Sequence, residues 1–483
     1  MSLIQRLNKL ELAVFHFFTL SFFCIFSNNG KAQEATSSPY SAYGVGDINN
    51  KSFGNSYAMG GTHIAMQNDS TPLFFINNGN PASYSTVRLT TVDLALNVNR
   101  TQLQTSTAQQ SITTGSVGHV ALAFPVKEWW GTSIGLTPYS TVGYKISDNE
   151  VINNVGSVDY LYTGTGGINQ AYFGNGIKPL YWIPNVFLQS KRYERLKQEK
   201  KDSLINKILK RKKAFQALSL GANASYMFGN LNYTANSVFP STGLNFNTST
   251  GTTTRVSSFY FDYGLQYAYT VDSIKGRDLK ENVKIIFGAT MSAQSNLNAK
   301  VDSLSYNYFN NFNGTTVIKD TIINSTGSKG YITIPLSFGF GLGIKKGDRW
   351  LIATDYAIQN WSKYKEFNQS QGFKNSTRVS LGIQFIPNKE GSYLKRINYR
   401  MGGYFSQTML VLNNNQITQQ AATFGLGLPV GTYRLLQNFS MINIGIELGT
   451  RGTISDDLVK ERYFKISLGF TMNDKWFVKP KYD

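Results

Sequence analysis

The chain has 483 residues, of which 41% are hydrophobic, 14% aromatic and only 16% charged, with a net charge of +19 at pH 7. The hydrophobic share is too low for a helical membrane protein, and beyond the N-terminus no apolar run approaches the roughly 18 residues that a spanning helix needs. Low charge, 44 glycines and abundant Asn, Ser and Thr instead suit one large β structure whose strands carry an oily face and a polar one.

Residues 1–33 read as a secretory signal peptide. MSLIQRLNKLE is the basic start, LAVFHFFTLSFFCIF the apolar core and NNGKAQ the polar exit, with cleavage predicted after Ala32 or Gln33. Cys24 sits behind bulky Phe23 inside the apolar core, which excludes a lipid-attachment site. It is the one cysteine and leaves with the signal, so no disulfide is expected in the mature chain. Losing Arg6, Lys9, Lys31 and Glu11 leaves 44 basic and 27 acidic residues, a net charge of +17.

Residues 34–88 are rich in Gly, Asn, Ser and Pro and alternate too little for a spanning strand. Lying ahead of the first strand, they are expected to fold into the lumen as a periplasmic hatch or plug.

From residue 89 the pattern changes to repeated period-2 alternation. In ALSLGANASYMFG, Leu218, Leu220, Ala222, Ala224, Tyr226 and Phe228 share one face; in FKISLGFT, Phe464, Ile466, Leu468 and Phe470 do. The opposite face is mostly Gly, Ser, Asn and Thr, which suits a barrel interior better than the charged surface of a soluble sandwich. Such segments fall at 89–101, 115–126, 131–146, 157–174, 216–236, 253–272, 282–300, 329–346, 349–363, 374–388, 395–410, 416–430, 437–451 and 458–473. The fold class is therefore all-β: a fourteen-stranded antiparallel transmembrane β-barrel over 89–473 in the outer membrane, an even number as bacterial single-chain barrels require. Short connections such as 127–131 and 345–349 alternate with long ones such as the polar loop 301–328. The short turns and both chain ends, including the tail 474–483, are expected on the periplasmic side. Trp129, Trp130, Trp350 and Trp476 fall at that side and read as an interfacial girdle.

Between strands four and five, at about 179–215, the chain carries a basic insertion. KRYERLKQEKKDSLINKILKRKK, residues 191–213, has eleven Lys and Arg against three acids, with a modest apolar stripe from Leu196, Leu204, Ile205, Ile208 and Leu209. Its side of the membrane offers no nucleic acid, so three readings stand beside a plain solvated helix: lying along the anionic leaflet, contacting the cell wall, or docking a periplasmic or outer-membrane protein.

No catalytic set emerges. His63 and His119 lack the Cys or carboxylate spacing of a metal site, no G-x-S-x-G elbow fixes a nucleophile, and GTGGINQ and GFGLGIKKG lack the strand-to-helix setting of a phosphate loop. Neither an enzyme, a metal nor a cofactor is expected. Alternation instead points Arg378, Arg400 and Lys465 into the lumen with Asp262, Asp355 and Glu447. There they form a polar network holding the hatch or, in a sharper reading, a site in which an arginine holds a ligand carboxylate. Gly164, Gly166 and Gly167 predict a bulge or kink in strand four.

The stretch AMGGTHIAMQNDSTPLFFINNGNPASYS resembles the hatch of FadL-family outer-membrane channels. The flanking SPYSAYGVGD, the GTGGINQAYFG stretch and the ending NDKWFVKPKYD resemble the branch of that family found in Bacteroidota. Carried over, Gly60, Gly61, Ala65, Asp69, Asn80, Pro81 and Ala82 would form the hatch core and its anchor, and a wall kink would open a sideways exit. The resemblance implies passive uptake of hydrophobic compounds such as long-chain fatty acids, with outer-membrane lipid and a hydrophobic small molecule as partners. Because some relatives are subunits of secretion machinery, a non-transport accessory barrel of an outer-membrane secretion or assembly complex is the alternative. Residues 191–213 and the tail depart from the family pattern.

Overall fold

Alternating strands in a membrane must pair all round, because each unsatisfied backbone group in hydrocarbon costs several kcal/mol. A computed structural model describes residues 36–68, 75–179, 181, 217–240, 245–271, 283–311, 313, 315–430 and 438–476. It is a closed barrel of fourteen antiparallel wall strands. These are β1 Thr90–Gln104, β2 Gln109–Lys127, β3 Trp130–Ile152, β4 Gly156–Ile177, β5 Leu218–Val238 and β6 Asn247–Val271. β7 and β8 are each bent into two segments, Val283–Ser292 with Ser295–Asn310 and Thr316–Ile334 with Ser337–Lys346. The ring continues through β9 Trp350–Gln359, β10 Ser376–Phe385, β11 Asn398–Leu412, β12 Asn415–Val430, β13 Asn438–Arg451 and β14 Lys460–Asp474. β14 pairs with β1 from Lys460↔Gln104 to Asp474↔Thr90, which closes it.

Each of the fourteen sequence segments lies on one of these strands. The expected loop 301–328 is a correction. It forms most of an antiparallel pair, in which Asn310 to Ser295 of β7 run against Thr316 to Ile334 of β8, while β7 also pairs with Asn247–Val256 of β6. Polar residues such as DTIINSTGSK look like loop because this stretch of β8 is exposed on both faces and so carries no oily side for alternation to reveal. The basic run 191–213 and the expected signal peptide, residues 1–33, lie outside the described residues. The run nevertheless joins Ile177 to Leu218, strand ends on the same rim as the β2–β3 turn, as parity implied.

Exposed apolar side chains ring the wall, among them Leu136, Phe173, Phe261, Phe340, Leu381 and Phe424, and form the lipid face. Their strand neighbours point inward and are small. Gly131, Gly176, Gly221 and Gly264 lie opposite one another on β3 to β6. The row resumes with Gly288↔Gly341, Gly382↔Gly402 and Gly425↔Gly445.

Of the N-terminal segment, Ala58, Met59, Gly60, Ile64, Ala65 and residues 80–85 sit against this glycine belt. A Cβ at Gly176 would stand 2.6 Å from Pro81 O and Ser85 N, and one at Gly402 would stand 2.5 Å from Gly60 N. The belt thus lets hatch backbone touch wall backbone, and the hatch answers with Gly60, whose φ of +68° and closeness to Gly403 O exclude a side chain. Outward of the belt the interior is apolar and aromatic, with Tyr139, Tyr260, Trp361, Tyr364 and Phe373 packed with Met227, Leu297 and Ile334.

Gly402→Val should therefore leave the barrel folded but unseat the hatch. The expected readout is normal heat-modifiable migration with cleavage of residues 50–68 by periplasmic-side protease; an uncleaved hatch would contradict the belt's role.

Candidate functional site

The hatch is anchored by polar side chains whose partners come from opposite sides of the ring. Asn80 Nδ2 donates to Ile64 O (2.7 Å) and Leu265 O (3.2 Å), and its Oδ1 accepts from Ala82 N (3.1 Å), capping the 3-10 turn Pro81–Thr86. Gln266 Nε2 donates to Ile64 O and Met66 O. From β9, Asp355 Oδ2 accepts from His63 N (2.6 Å) and Ile64 N (3.0 Å). Gly60 N donates to Thr423 Oγ1 (2.8 Å), Gly61 packs on Arg378 and Asn50, and Ala65 is wholly buried. The candidate hatch residues Gly60, Gly61, Ala65, Asn80, Pro81 and Ala82 are thus brought together, while Asp69 lies outside the described residues.

His63 belongs to this core. Its Nδ1 donates to Gly61 O (2.8 Å), and burial holds the imidazole below its usual range, against the opposing pull of Asp355. His119 lies elsewhere, on β2, where Nε2 meets Asp93 Oδ1 (2.6 Å) and Phe53 of the hatch stacks on the ring at 3.6 Å. Among the described residues no group of three His, Cys, Asp or Glu is placed to hold a metal ion.

Between hatch and wall lies a chamber of about 480 Å³. Its floor is hatch, with Asn49, Lys51 and Phe53, and its far wall carries Arg378, Tyr404, Glu447 and Lys465. Most of the charges facing it are compensated. Lys51 Nζ meets Asp262 Oδ1 at 2.6 Å, Arg451 Nη1 meets Asp47 Oδ1 at 2.7 Å, and Lys465 Nζ lies 4.0 Å from Glu447. Arg378 differs: its guanidinium lies 3.5 Å over the Tyr404 ring and donates to Gly60 O (3.1 Å), and its buried Nε has no hydrogen-bond partner. Arg400 does not reach the chamber. It borders a separate cavity of about 70 Å³ near the rim that carries the β2–β3 turn, donating from Nε to Gln384 Oε1 and from Nη1 to Asn443 Oδ1, both at 2.7 Å.

One side of the chamber meets a break in the wall. β2 and β3 pair only from Lys127↔Trp130 up to Val120↔Leu136. Above that, β2 stays paired with β1 as far as Gln109 and β3 with β4 as far as Ile152, so the two strands part. Tyr139 of β3 is an extra residue between Pro138 and Ser140 in the ladder to β4, and it turns inward, buried.

Hatch residues 36–49 lie along the exposed edge of β3. Asp47 and Ile48 pair with Thr141 and Ser140, Asn49 N donates to Tyr139 O (2.9 Å), and Ser41 Oγ bonds both Gly143 O and Gly143 N. Burial pushes the Tyr40 phenol in this strip up to about 12.

The kink expected in strand four is accordingly corrected. β4 pairs without interruption from Asp159 to Phe173 with β5, and the irregularity in its ladder with β3 belongs to Tyr139. Gly164, Gly166 and Gly167 make room for neighbours: a Cβ at Gly164 would strike the Tyr144 ring, and one at Gly167 would strike Ser140 O beside the bulge. The signal for the true position was Pro138, because a proline within a strand marks an edge or a bulge.

A family model described as BamG matches residues 15–183 and 211–483, leaving out most of the basic run. No curated protein matches the sequence. Among solved structures, the toluene transporter TodX of P. putida is similar at a TM-score of 0.53 and 15% identity, over 89% of this chain and 100% of that one. A Pseudomonas aeruginosa FadL homologue is similar at 0.52 and 9% identity, over 89% of this chain and 99% of that one. The barrel is thus of the FadL type, an outer-membrane fold.

Asp355→Ala would strand two buried backbone donors, an expected loss of about 2–4 kcal/mol in hatch stability. Hydrogen exchange at His63 and Ile64 should rise accordingly; unchanged protection would show that the belt alone holds this segment.

Proposed function

The chain belongs to the BamG family, and from its FadL-type barrel and the chamber beside the wall gap we propose that it passes small hydrophobic compounds from the outer side into the membrane, with the β2–β3 gap as a sideways exit. The carrying observation is that the chamber of about 480 Å³ is lined at one side by β2 and β3 residues of the gap, including Ser116, Gly118, Thr137 and Tyr139. A molecule in the chamber stands next to an opening in the wall, separated from lipid by the hatch strip 36–49.

Magnitudes favour motion of the strip over expulsion of the hatch. The strip is held to β3 by a handful of hydrogen bonds, to β13 by the Arg451–Asp47 pair, and near β14 by Ser38 on Glu461 and Tyr40 on Val459 O. At about 1 kcal/mol net per hydrogen bond and about 2 kcal/mol for each of the buried Tyr40 and Val45 side chains, peeling it back costs on the order of 10 kcal/mol, without disturbing the belt. Expelling the belt-seated hatch would unpair Asp355, Asn80 and Gln266 together. Long-chain fatty acids are the finer candidate cargo: Arg378, with no carboxylate of the described residues within ion-pair distance, would meet an acid head while Tyr139, Met409 and Leu410 line space for a tail.

A second reading, the accessory barrel of an outer-membrane secretion or assembly complex, is favoured by the strip itself. In this structure the gap is occupied by hatch residues and much of the chamber lining is polar, features that a barrel serving as an anchor also accommodates.

Ile48 and Ser140 face each other in register, so I48C/S140C can lock the strip by oxidation. Uptake of a labelled hydrophobic compound should stop when the lock is oxidised and return on reduction. Unaltered uptake by the locked protein would refute the sideways exit. No uptake in either state, with specific proteins recovered from native membranes, would support the second reading. For the finer assignment, Arg378→Gln should weaken uptake of a fatty acid at least about tenfold, the scale of a lost charge-assisted hydrogen bond, and leave an uncharged hydrocarbon unaffected.

A further inference from the structure

One corner of the rim that carries the short turns is strongly basic. At the periplasmic end, the β8–β9 turn and the β10–β11 connection fold into one corner: Ile386 N donates to Arg349 O and Asn388 N to Lys395 O, both at 2.8 Å. Asp348 takes two lysines on one carboxylate, Lys345 at 3.2 Å and Lys389 at 2.9 Å. Across residues 345–349 and 386–397 the sequence has six basic residues, Lys345, Lys346, Arg349, Lys389, Lys395 and Arg396, against Asp348 and Glu390. Lys346, Arg349 and Lys395 are exposed. The outer connection 451–462, by contrast, balances Arg451, Lys460 and Arg462 with Asp456, Asp457 and Glu461.

The depth of this corner is set by aromatic rings. Trp350, Phe385 and Tyr399 stand side by side in one register row, next to Lys346. Trp350 packs on Phe385 at 4.3 Å, and the Tyr399 hydroxyl donates to Leu394 O at 3.0 Å. On the short helical turn Tyr393–Arg396, Tyr393 and Leu394 are 44% and 68% exposed. Amphipathic aromatics settle at the boundary between hydrocarbon and headgroups. Cations carried just beyond that row therefore lie at the depth of lipid phosphates, where anionic lipid attracts them.

We infer that this corner is a docking surface for anionic phospholipid headgroups of the periplasmic leaflet, with the Trp350–Phe385–Tyr399 row fixing its depth and Lys346, Arg349 and Lys395 contacting phosphate. The inference is independent of what passes through the barrel. Lipid rather than an acidic protein is favoured because the same residues that carry the charge are coupled to a lipid-facing aromatic row.

The test uses the full protein reconstituted in vesicles of phosphatidylcholine mixed with phosphatidylglycerol, with spin-labelled lipids reporting which species contacts the protein. The wild type should prefer phosphatidylglycerol at least about threefold. K346Q/R349Q/K395Q should lose at least half of that preference, and inorganic phosphate should not compete. An outer-rim control with the same charge removed, K319Q/K329Q/K374Q, should keep it. Heat-modifiable migration checks that each variant is folded. No preference in the wild type, an unchanged triple variant, or equal loss in the control would overturn the inference. So would displacement by inorganic phosphate, or recovery of an acidic protein in place of lipid at this corner.

Discussion

Backbone-to-backbone contact between hatch and wall is the constraint on which the molecule depends. A barrel of fourteen strands encloses more space than its own side chains fill, and here the chain fills it with its own N-terminal segment. That is possible at close range because glycines sit opposite one another across successive strands, so that Pro81, Tyr84, Ile64 and Met59 approach main chain directly. Close approach then makes the remaining anchors short. Asp355, Asn80 and Gln266 need only one side chain's length to cap hatch amides and carbonyls. Small wall residues and polar anchors are two parts of one joint.

The same joint divides the hatch into a fixed and a releasable part. Residues 58–66 and 80–85 rest on the belt, whereas 36–49 rest on the edge of β3 where β2 has turned away. Pro138 and the Tyr139 bulge bend β3 at the point where pairing with β2 ends, and the bend aims an aromatic side chain into the chamber. An open edge inside a membrane is costly, and the strip supplies the missing partners from Tyr139 to Gly143. Closure and a route out of the wall thus come from one local irregularity.

Much of this is written in local patterns. Period-2 alternation reveals any strand with an oily face, so β5 and β14 are legible residue by residue: Leu220, Tyr226, Phe464 and Ile466 are exposed while Ser219, Asn223 and Ser467 are buried. The glycines opposite the oily face identify an interior without revealing that they align across strands, because register is a long-range property. The outer part of β8 escapes for another reason, being exposed on both faces. The fates of Arg378 and Arg400 diverge through partners distant in sequence, Gly60 and Tyr404 for one, Gln384 and Asn443 for the other. Gly166 and Gly167 attract attention as kink points, yet the kink belongs to the neighbouring strand that they accommodate.

Site-resolved hydrogen exchange on the reconstituted protein tests the division of the hatch most directly. If the strip is the moving part, the amides of Asp47 and Asn49 should exchange at least about tenfold faster than those of Gly60, His63 and Ile64, a difference of about 1.4 kcal/mol in opening free energy. Equal rates across both sets would mean that the hatch moves as one body, and would contradict an exit through the β2–β3 gap opened by the strip alone.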